Sequence, residues 1–393
     1  MDAVRNPFAP GAGNPPPELA GRSALLDQAV VALRRTIQSR SSQSLILVGL
    51  RGVGKTVLLV RLRDMAEQEG MRTVLVEAHE GKRLAELLVP ELRSMLFSLS
   101  MVDKAKEQAR RGLRVLKSFM SALKIRMADV DLEIGIEPEH GTADTGDIEN
   151  DLPALLVAVA QAAAAAGRSV AIFVDELQYL AEREFSALIM SMHRINQSRL
   201  PLILFGAGLP QVLALAGASK SYAERLFRYP TVGPLEPADA RAAIVTPIEQ
   251  EEAAITADAV AAILAVTQAY PYFLQQWGHD CWNAADGNRI DEDDVRAATI
   301  TAIRTLDQGF FKVRFDRCTP SERKYMRALA ELGPGSQRSG DVAALLKVKT
   351  TSVGPTRGNL IKKGMVYAPA YGDTEFTVPL FDAYMRRVMP LNG

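Results

Sequence analysis

"SLILVGLRGVGKTVLL", residues 44–59, sets the pattern Gly-x-x-x-x-Gly-Lys-Thr between an apolar run at 45–48 and a stretch where Leu58, Leu62, Met65 and Ala66 recur at helical spacing. Strand, glycine-rich turn and helix together are the context a phosphate-binding loop requires. Gly49, Gly52 and Gly54 let the backbone curl until successive N–H groups converge on an anion, and a helix starting near Lys55 adds the positive end of its dipole. The spacing predicts a loop, running through Val53 to Val57, that holds a nucleoside triphosphate. Lys55 is expected on the β and γ phosphates and the Thr56 hydroxyl on Mg²⁺.

A second stretch, "VAIFVDELQYL" at 170–180, is an apolar run that needs burial on both faces, as a central parallel strand does. It ends in two acids, at the strand terminus where open α/β sheets bind ligands. Asp175 is the expected partner of Mg²⁺ through water, and Glu176 the group that polarises an attacking water. An apolar strand running into an acidic helix cap would read the same way; the phosphate loop upstream is what favours catalysis.

Bulk properties narrow the class. With 393 residues the chain has room for two or three domains, and 48% hydrophobic with 23% charged residues is the balance of a globular protein. No apolar stretch approaches the roughly 20 residues of a membrane span, and the start lacks the apolar core of a signal peptide. A cytoplasmic protein with no membrane partner is expected. Cys281 and Cys318 read as two reduced thiols, and His79, His140, His193 and His279 show no ligand spacing, so no structural metal is expected. Net charge is zero over the chain, but residues 318–393 carry 11 Lys and Arg against 6 Asp and Glu, a net of +5 that suggests an anionic partner.

Residues 1–17 hold five prolines and two glycines with little to bury, which predicts a flexible or extended arm. A helix over 24–38 then leads into the phosphate-loop strand, and "RTVLVEA" at 72–78 is a second strand. Residues 81–124 are helical by pattern; "IRMADVDLEIGIEPEHG" (125–141) alternates like a strand or short hairpin and runs into the polar "TADTGDIEND", read as an exposed insertion. An alanine-rich helix at 152–166 precedes the acidic strand, a fourth strand falls at 202–205 and a fifth at 229–232. Strands alternating with helices predict a parallel α/β sheet. Beyond it the pattern is helical, at 237–246, 256–267, 271–284 and from 291 on, as in a small helical lid.

With these motifs in hand, the chain resembles the AAA+ and STAND-type P-loop ATPases, in particular bacterial relatives of the archaeal and eukaryotic origin-recognition ATPases, over nearly its full length. The resemblance implies ATP as the nucleotide, Mg²⁺ as its metal and ATP hydrolysis as the activity. "ELAGRSALL" (18–26) looks like the box that flanks the adenine, with Gly21 and Arg22 matching and Ser23 in place of the usual acid. "YAERLFRYPTVGPLEPADA" is similar to the segment joining core and lid, where Arg225, or else Arg228, matches an arginine finger that would act in a homo-oligomer. "AYPYFLQQWG" (269–278) resembles the Gly-x-Pro lid motif: Pro271 fits and Ala269 replaces the glycine. Two family features are missing, since Tyr272-Phe273 stands at a sensor arginine and Gly206-Ala207-Gly208 at a polar sensor. Their loss implies slow turnover or a nucleotide-held switch. Tyr270, Tyr272, Phe273, Trp277 and Trp282 read as lid core rather than a binding cluster.

The C-terminal segment reads as a winged helix-turn-helix. "TPSERKYMRALAEL", "SGDVAALLK" and "TSVGPTRGNLIKKG" are three helical pieces with caps at Thr319, Ser339 and Ser352, and "MVYAPAYGDTEFTVP" is a hairpin turning at Gly372-Asp373. Pro355 predicts a third helix starting near Val353. That helix would enter the major groove of duplex DNA, with Lys349, Thr351, Ser352 and Arg357 at its leading end, beside Lys347 and Thr350, and Lys362 and Lys363 on phosphates. The expected division is an arm at 1–17, an AAA+-like core at 18–235 with an insertion at about 81–150, a helical lid at 236–317 and the winged helix at 318–393. Two functions compete: an ATPase that couples nucleotide state to DNA, and a signalling switch whose winged helix contacts a protein partner. A metabolic kinase on the same loop is disfavoured by the lid and the winged helix.

Overall fold

The structure is a computed structural model describing residues 1–11, 13–125, 137–219 and 223–390. The chain divides into two compact units, one of residues 23–48 and 55–231, the other of residues 1–22, 49–54 and 232–393.

The first unit runs α1 (Ser23–Ile37), β1 (Ser44–Val48), α2 (Lys55–Gln68), β2 (Arg72–Glu77), α3 (Leu84–Ser100), α4 (Lys106–Ala122), α5 (Ile148–Ala165), β3 (Val170–Asp175), α6 (Glu182–Gln197), β4 (Leu202–Gly208), α7 (Gln211–Ser219), α8 (Ala223–Leu226) and β5 (Phe227–Arg228). Its five strands are all parallel, in the order β2-β3-β4-β1-β5. β1, β3 and β4 are buried along their whole length, which is why they read as unbroken apolar runs. Phe173 and Phe205 sit opposite each other in β3 and β4 and stack with centroids 5.2 Å apart. Because the strands are parallel, the ends of β1, β3 and β4 lie along one edge of the sheet. Asp175, expected at the nucleotide, ends β3 at that edge.

One expectation for this unit needs correction. The fifth strand forms at Phe227–Arg228, with a lone bridge from Val48 to Thr231, rather than at 229–232. Pro230 has no N–H for a ladder and interrupts it, giving only its carbonyl to the Val48 N–H at 3.0 Å. The polar segment before α5 is exposed at Asp144, Thr145 and Gly146, as read, and is also tied down by a buried carboxylate. Asp151 is 1% exposed, and its carboxylate accepts from the N–H of Thr145 (3.1 Å) and Gly146 (2.9 Å) and the Thr145 hydroxyl (2.8 Å), while Asp147 caps α5. The expected strand or hairpin at 125–141 falls mainly on 126–136, outside the described residues.

The second unit continues with α9 (Pro237–Gln250), β6 (Ala254–Ile255), α10 (Ala257–Thr267), α11 (Pro271–Ala284), β7 (Arg289–Ile290), α12 (Glu292–Leu306), a π turn at Asp307–Phe311 and α13 (Lys312–Asp316). Then follow α14 (Pro320–Glu331), β8 (Gln337–Arg338), α15 (Ser339–Leu345), α16 (Thr350–Lys362), β9 (Val366–Tyr367), β10 (Asp373–Phe376) and α17 (Phe381–Val388). Helix starts obey local chemistry: Pro237 and Pro271 open α9 and α11, Thr256 caps α10, and Asp291 and Thr319 form capping boxes. One apolar core runs from Phe8 through Trp277 and Phe311 to Met385. Phe273, Trp277 and Trp282 are part of it.

Residues 2–8 of the expected arm are therefore held on the fold, whereas Gly13, Asn14, Pro15 and Pro17 are exposed. Phe8 is 2% exposed and lies on Gly278, where a Cβ would come within 2.7 Å of its ring; Asn6 donates to the His279 carbonyl at 3.0 Å and the Trp282 indole to the Asp2 carbonyl at 2.8 Å. One seated phenyl group contributes about 1.5–3 kcal/mol, enough to hold a proline-rich segment that composition alone marks as loose.

From α14 the order is helix, strand, helix, helix, strand, strand, with an antiparallel sheet ordered β8-β10-β9 and Gly372 at φ +83° in the hairpin. Two caps differ from expectation. α16 begins at Thr350 with Lys349 in the cap position, and Pro355 lies inside it rather than in its first turn. The lost hydrogen bond leaves the Thr351 carbonyl to water, where Thr351 is exposed, and Gly354 has no Cβ to meet the proline ring. Ser339 is the first residue of α15, not its cap, and its hydroxyl donates to the Gly372 carbonyl at 2.7 Å.

Candidate nucleotide site

Lys55 and Thr56 open α2, and Asp175 and Glu176 end β3, all in the sheet unit. The Thr56 hydroxyl donates to Asp175 Oδ2 at 2.6 Å, and the Glu176 N–H donates to Asp175 Oδ1 at 2.8 Å. Both motifs thus meet at one carboxylate. Asp175 is 5% exposed and Lys55 is 8% exposed. Burial is the main cause that lifts the Asp175 carboxyl above its usual range; the Thr56 hydroxyl opposes it, the Glu176 charge adds to it, and the Glu176 N–H and Lys55 ammonium oppose it. Glu176 itself takes a left-handed backbone, φ +53°, and a short 3₁₀ turn at Leu177–Tyr179 follows. Its carboxylate accepts from the Gln178 side-chain amide.

The Gly49–Gly54 loop, which the chain continues directly into Lys55, belongs to the second unit. Gly52 and Gly54 have φ +82° and +89°, backbone that L side chains rarely adopt, and a Cβ on Gly49 would collide with the Val232 carbonyl. Val53 is buried beside Gly49, and Val57, in α2, is half-buried. Loop carbonyl Gly52 O accepts the Tyr272 N–H at 3.0 Å, and the Arg51 N–H donates to Thr377 O at 3.0 Å. Gly21, at φ +68°, lies against Asp239, and Arg22 donates to the Gly233 carbonyl at 2.6 Å; Pro271 is the first residue of α11. Sequence reasoning had no signal for the Tyr272 and Thr377 contacts.

The donor set fits the expected cofactors. Thr56 and Asp175 offer a hydroxyl and a carboxylate, the hard oxygens Mg²⁺ prefers; in the other unit, Gly52 and Gly54 take the positive φ that a phosphate-binding turn requires. Among the described residues no group of three or more His, Cys, Asp or Glu could hold a metal ion by itself. Cys281 and Cys318 are free and buried, their thiols pushed up to about 12 and about 11 by burial.

Other expected site residues separate into two groups. Arg225 and Arg228 are exposed around Gln43, which donates to the Arg225 carbonyl at 2.9 Å and accepts from Arg228 at 2.8 Å. Lys347, Lys349, Thr350, Thr351, Ser352 and Lys362 are exposed on and before α16. Arg357 and Lys363, expected on DNA, are turned inward instead. The Arg357 guanidinium donates to Thr374 Oγ1 at 2.8 Å and Asp373 O at 2.5 Å; Lys363 pairs with Glu322 at 2.7 Å and donates to Arg317 O at 3.0 Å. Thr374 and Glu322 are buried, and buried polar groups require partners, so both cations are spent within the fold.

The fold is that of P-loop ATPase structures: a parallel five-stranded α/β sheet, here with a glycine-rich loop after β1 and Asp175-Glu176 at the end of β3. Residues 18–205 match the family model described as an AAA ATPase domain, which supports an AAA+-type ATPase in this part of the chain. Residues 308–385 match a domain of unknown function (DUF8462), and no curated protein matches the chain. Among solved structures it is similar to the Walker-type ATPase PABY2304 of Pyrococcus abyssi, with TM-score 0.56 and 15% identity over 94% of this chain and 96% of that one. Orc1 of Aeropyrum pernix, solved in complex with DNA, has TM-score 0.49 and 15% identity over 98% of this chain and 96% of its own. The Thermotoga maritima RuvB Holliday junction branch migration motor has TM-score 0.44 and 13% identity over 94% and 95%. At such identities the likeness is one of fold. No helix among the described residues is long and apolar enough to cross a membrane.

The raised Asp175 carboxyl makes a pH prediction. In the folded state it holds its proton to higher pH than in the unfolded chain, so its contribution to stability falls as pH rises from the ordinary Asp value of about 3.9 through the folded value. Asp175→Asn removes this loss. In Mg²⁺-free protein, the melting temperature of the variant minus that of the wild type should increase on going from about pH 4 toward neutrality; a difference that stays flat overturns the assignment.

Proposed function

We propose that the chain is a Mg²⁺-dependent ATPase of slow turnover whose nucleotide state is passed to a C-terminal winged helix that binds duplex DNA. Lys55 and the Gly49, Gly52 and Gly54 turn hold the phosphates, Thr56 and Asp175 hold Mg²⁺, and Glu176 takes the proton of the water that attacks the γ-phosphorus. Mg²⁺, when bound, neutralises charge on the phosphate oxygens. We read residues 18–235 as the core, 236–317 as the lid and 318–393 as the winged helix, with Gly21, Arg22 and Pro271 near the base. Arg225 is the residue we assign to act on the nucleotide of a second copy.

The observation that carries the coupling is the pair of backbone hydrogen bonds on the phosphate loop, from Tyr272 of α11 to Gly52 and from Arg51 to Thr377, just past β10. A loop that must present its N–H groups to phosphate is held by the two elements that would respond. The helix–strand–helix–helix–strand–strand order from α14 and the exposed Lys349, Thr351, Ser352 and Lys362 support the DNA reading. The test titrates the full chain with duplex DNA at several salt concentrations, with ATP, ADP or no nucleotide, comparing wild type with Lys349→Ala/Lys362→Ala. Binding should depend on the nucleotide, and each lost phosphate contact should reduce the log–log salt slope by about 0.9. Identical curves for the double variant, or no binding at low salt, favour the second reading, a switch that contacts protein. One feature speaks for that reading: the hairpin tip, residues 368–372, is exposed, carries no basic side chain and presents Tyr371 fully to solvent.

A further inference from the structure

β4 ends in Gly206-Ala207-Gly208, with no polar side chain to offer to the chemistry next to it. The side chain that reaches this strand end comes from the turn after β3. Gln178 donates its amide N–H to Glu176 Oε2, and its amide oxygen accepts the Leu209 backbone N–H at 2.9 Å. The two halves of one rigid amide therefore join the Glu176 carboxylate to the main chain just past β4. The turn packs closely on the glycines of this strand end: a Cβ on Gly208 would collide with Val212 Cγ2 at 2.5 Å and come 3.0 Å from Gln178 Oε1, and a Cβ on Gly206 would collide with Leu177. Glu176, in its left-handed backbone, begins that turn.

We propose that Gln178 is the positioning residue of ATP hydrolysis: its amide clamps the Glu176 carboxylate to the end of β4, doing from the β3 turn what a polar side chain on β4 would otherwise do. This rests on Glu176 being the base. The physical argument is orientational: a base must lie within about 2.6–3.2 Å of the proton it removes, and a misplacement of about 1 Å can cost about 100-fold in rate. A carboxylate held by a planar amide with both ends satisfied keeps one oxygen engaged and its plane fixed.

The test measures ATP affinity, with a fluorescent analogue, and turnover separately in full-length Gln178→Met, Gln178→Glu, Gly208→Ala and Glu176→Gln, and in the Gln178→Met/Glu176→Gln pair. Gln178→Met keeps the length but loses both hydrogen bonds, and Gln178→Glu keeps an acceptor for Leu209 but removes the donor to Glu176. Both should lower kcat by about 10- to 100-fold with nucleotide affinity within about twofold of wild type. Gly208→Ala, whose methyl would press on Val212 and on Gln178 Oε1, should lower kcat by a smaller factor, and a melting curve separates this from loss of the fold. In the Glu176→Gln background Gln178→Met should add no further loss, since positioning has no value without the base. Normal kcat in Gln178→Met beside an inactive Glu176→Gln overturns the clamp and leaves the base in place; full turnover in Glu176→Gln overturns the base and the clamp with it. A parallel fall in affinity and kcat in both Gln178 variants and in Gly208→Ala would make the residue structural only.

Discussion

Lys55→Ala is expected to abolish tight ATP binding. Lys55 is 8% exposed at the first turn of α2, where its ammonium would meet β and γ oxygens out of bulk water. Charge-assisted hydrogen bonds are worth about 1.5–3 kcal/mol each, and an ammonium that makes two of them on phosphate supplies about 3–6 kcal/mol, so affinity should fall by more than about 100-fold. The measurement is a titration with a fluorescent ATP analogue at fixed Mg²⁺, alongside a melting curve to establish that the variant is folded. Binding within about twofold of wild type, a difference of only ~0.4 kcal/mol, would overturn the phosphate-loop assignment.

Glu176→Gln separates binding from chemistry. The substitution keeps the shape of the side chain but removes its capacity to take a proton, so nucleotide should still bind while hydrolysis falls by about two to four orders of magnitude. The Asp175 carboxylate, with its Thr56 hydroxyl and Glu176 N–H, does not depend on the Glu176 side chain and should continue to support Mg²⁺. Undiminished turnover would move the base elsewhere. A wild-type rate above roughly 10 s⁻¹, about the median for enzymes, would count against slow turnover.

How far the sequence could be read depended on whether a constraint was local. The phosphate loop needs glycines, a lysine and a hydroxyl at fixed offsets between a strand and a helix, so Gly49 to Thr56 could be read as one from spacing alone; that Thr56 and Asp175 hydrogen-bond directly was not foreseen. The buried strands were legible for the same reason, because burial on both faces demands consecutive apolar residues. Arg357 and Lys363 were not: charge on a helix says nothing about which face turns to the hairpin, and the buried Thr374 and Glu322 that hold them lie 17 and 41 positions away. Nor could composition show that Phe8 finds a seat on Gly278, or that Pro355 sits within a helix whose neighbouring carbonyl stays in water. The Gln178 amide joins groups from two strand ends, and no periodicity encodes such a meeting.

The chain contains two tryptophans, Trp277 and Trp282, and both lie in α11, the first donating to Thr299 and the second to the Asp2 carbonyl. Its intrinsic fluorescence is therefore the optical signal of one unit. An emission-based melting curve follows the core beneath Phe8 and is blind to the sheet, whereas far-ultraviolet circular dichroism sums over both. Noncoincident transitions by these two probes would be read as separate melting of the two units rather than as an intermediate of one. Gly52 belongs to the same unit and accepts a hydrogen bond from the second residue of α11, so under the proposed function a change of indole emission on adding ATP would report nucleotide at that loop.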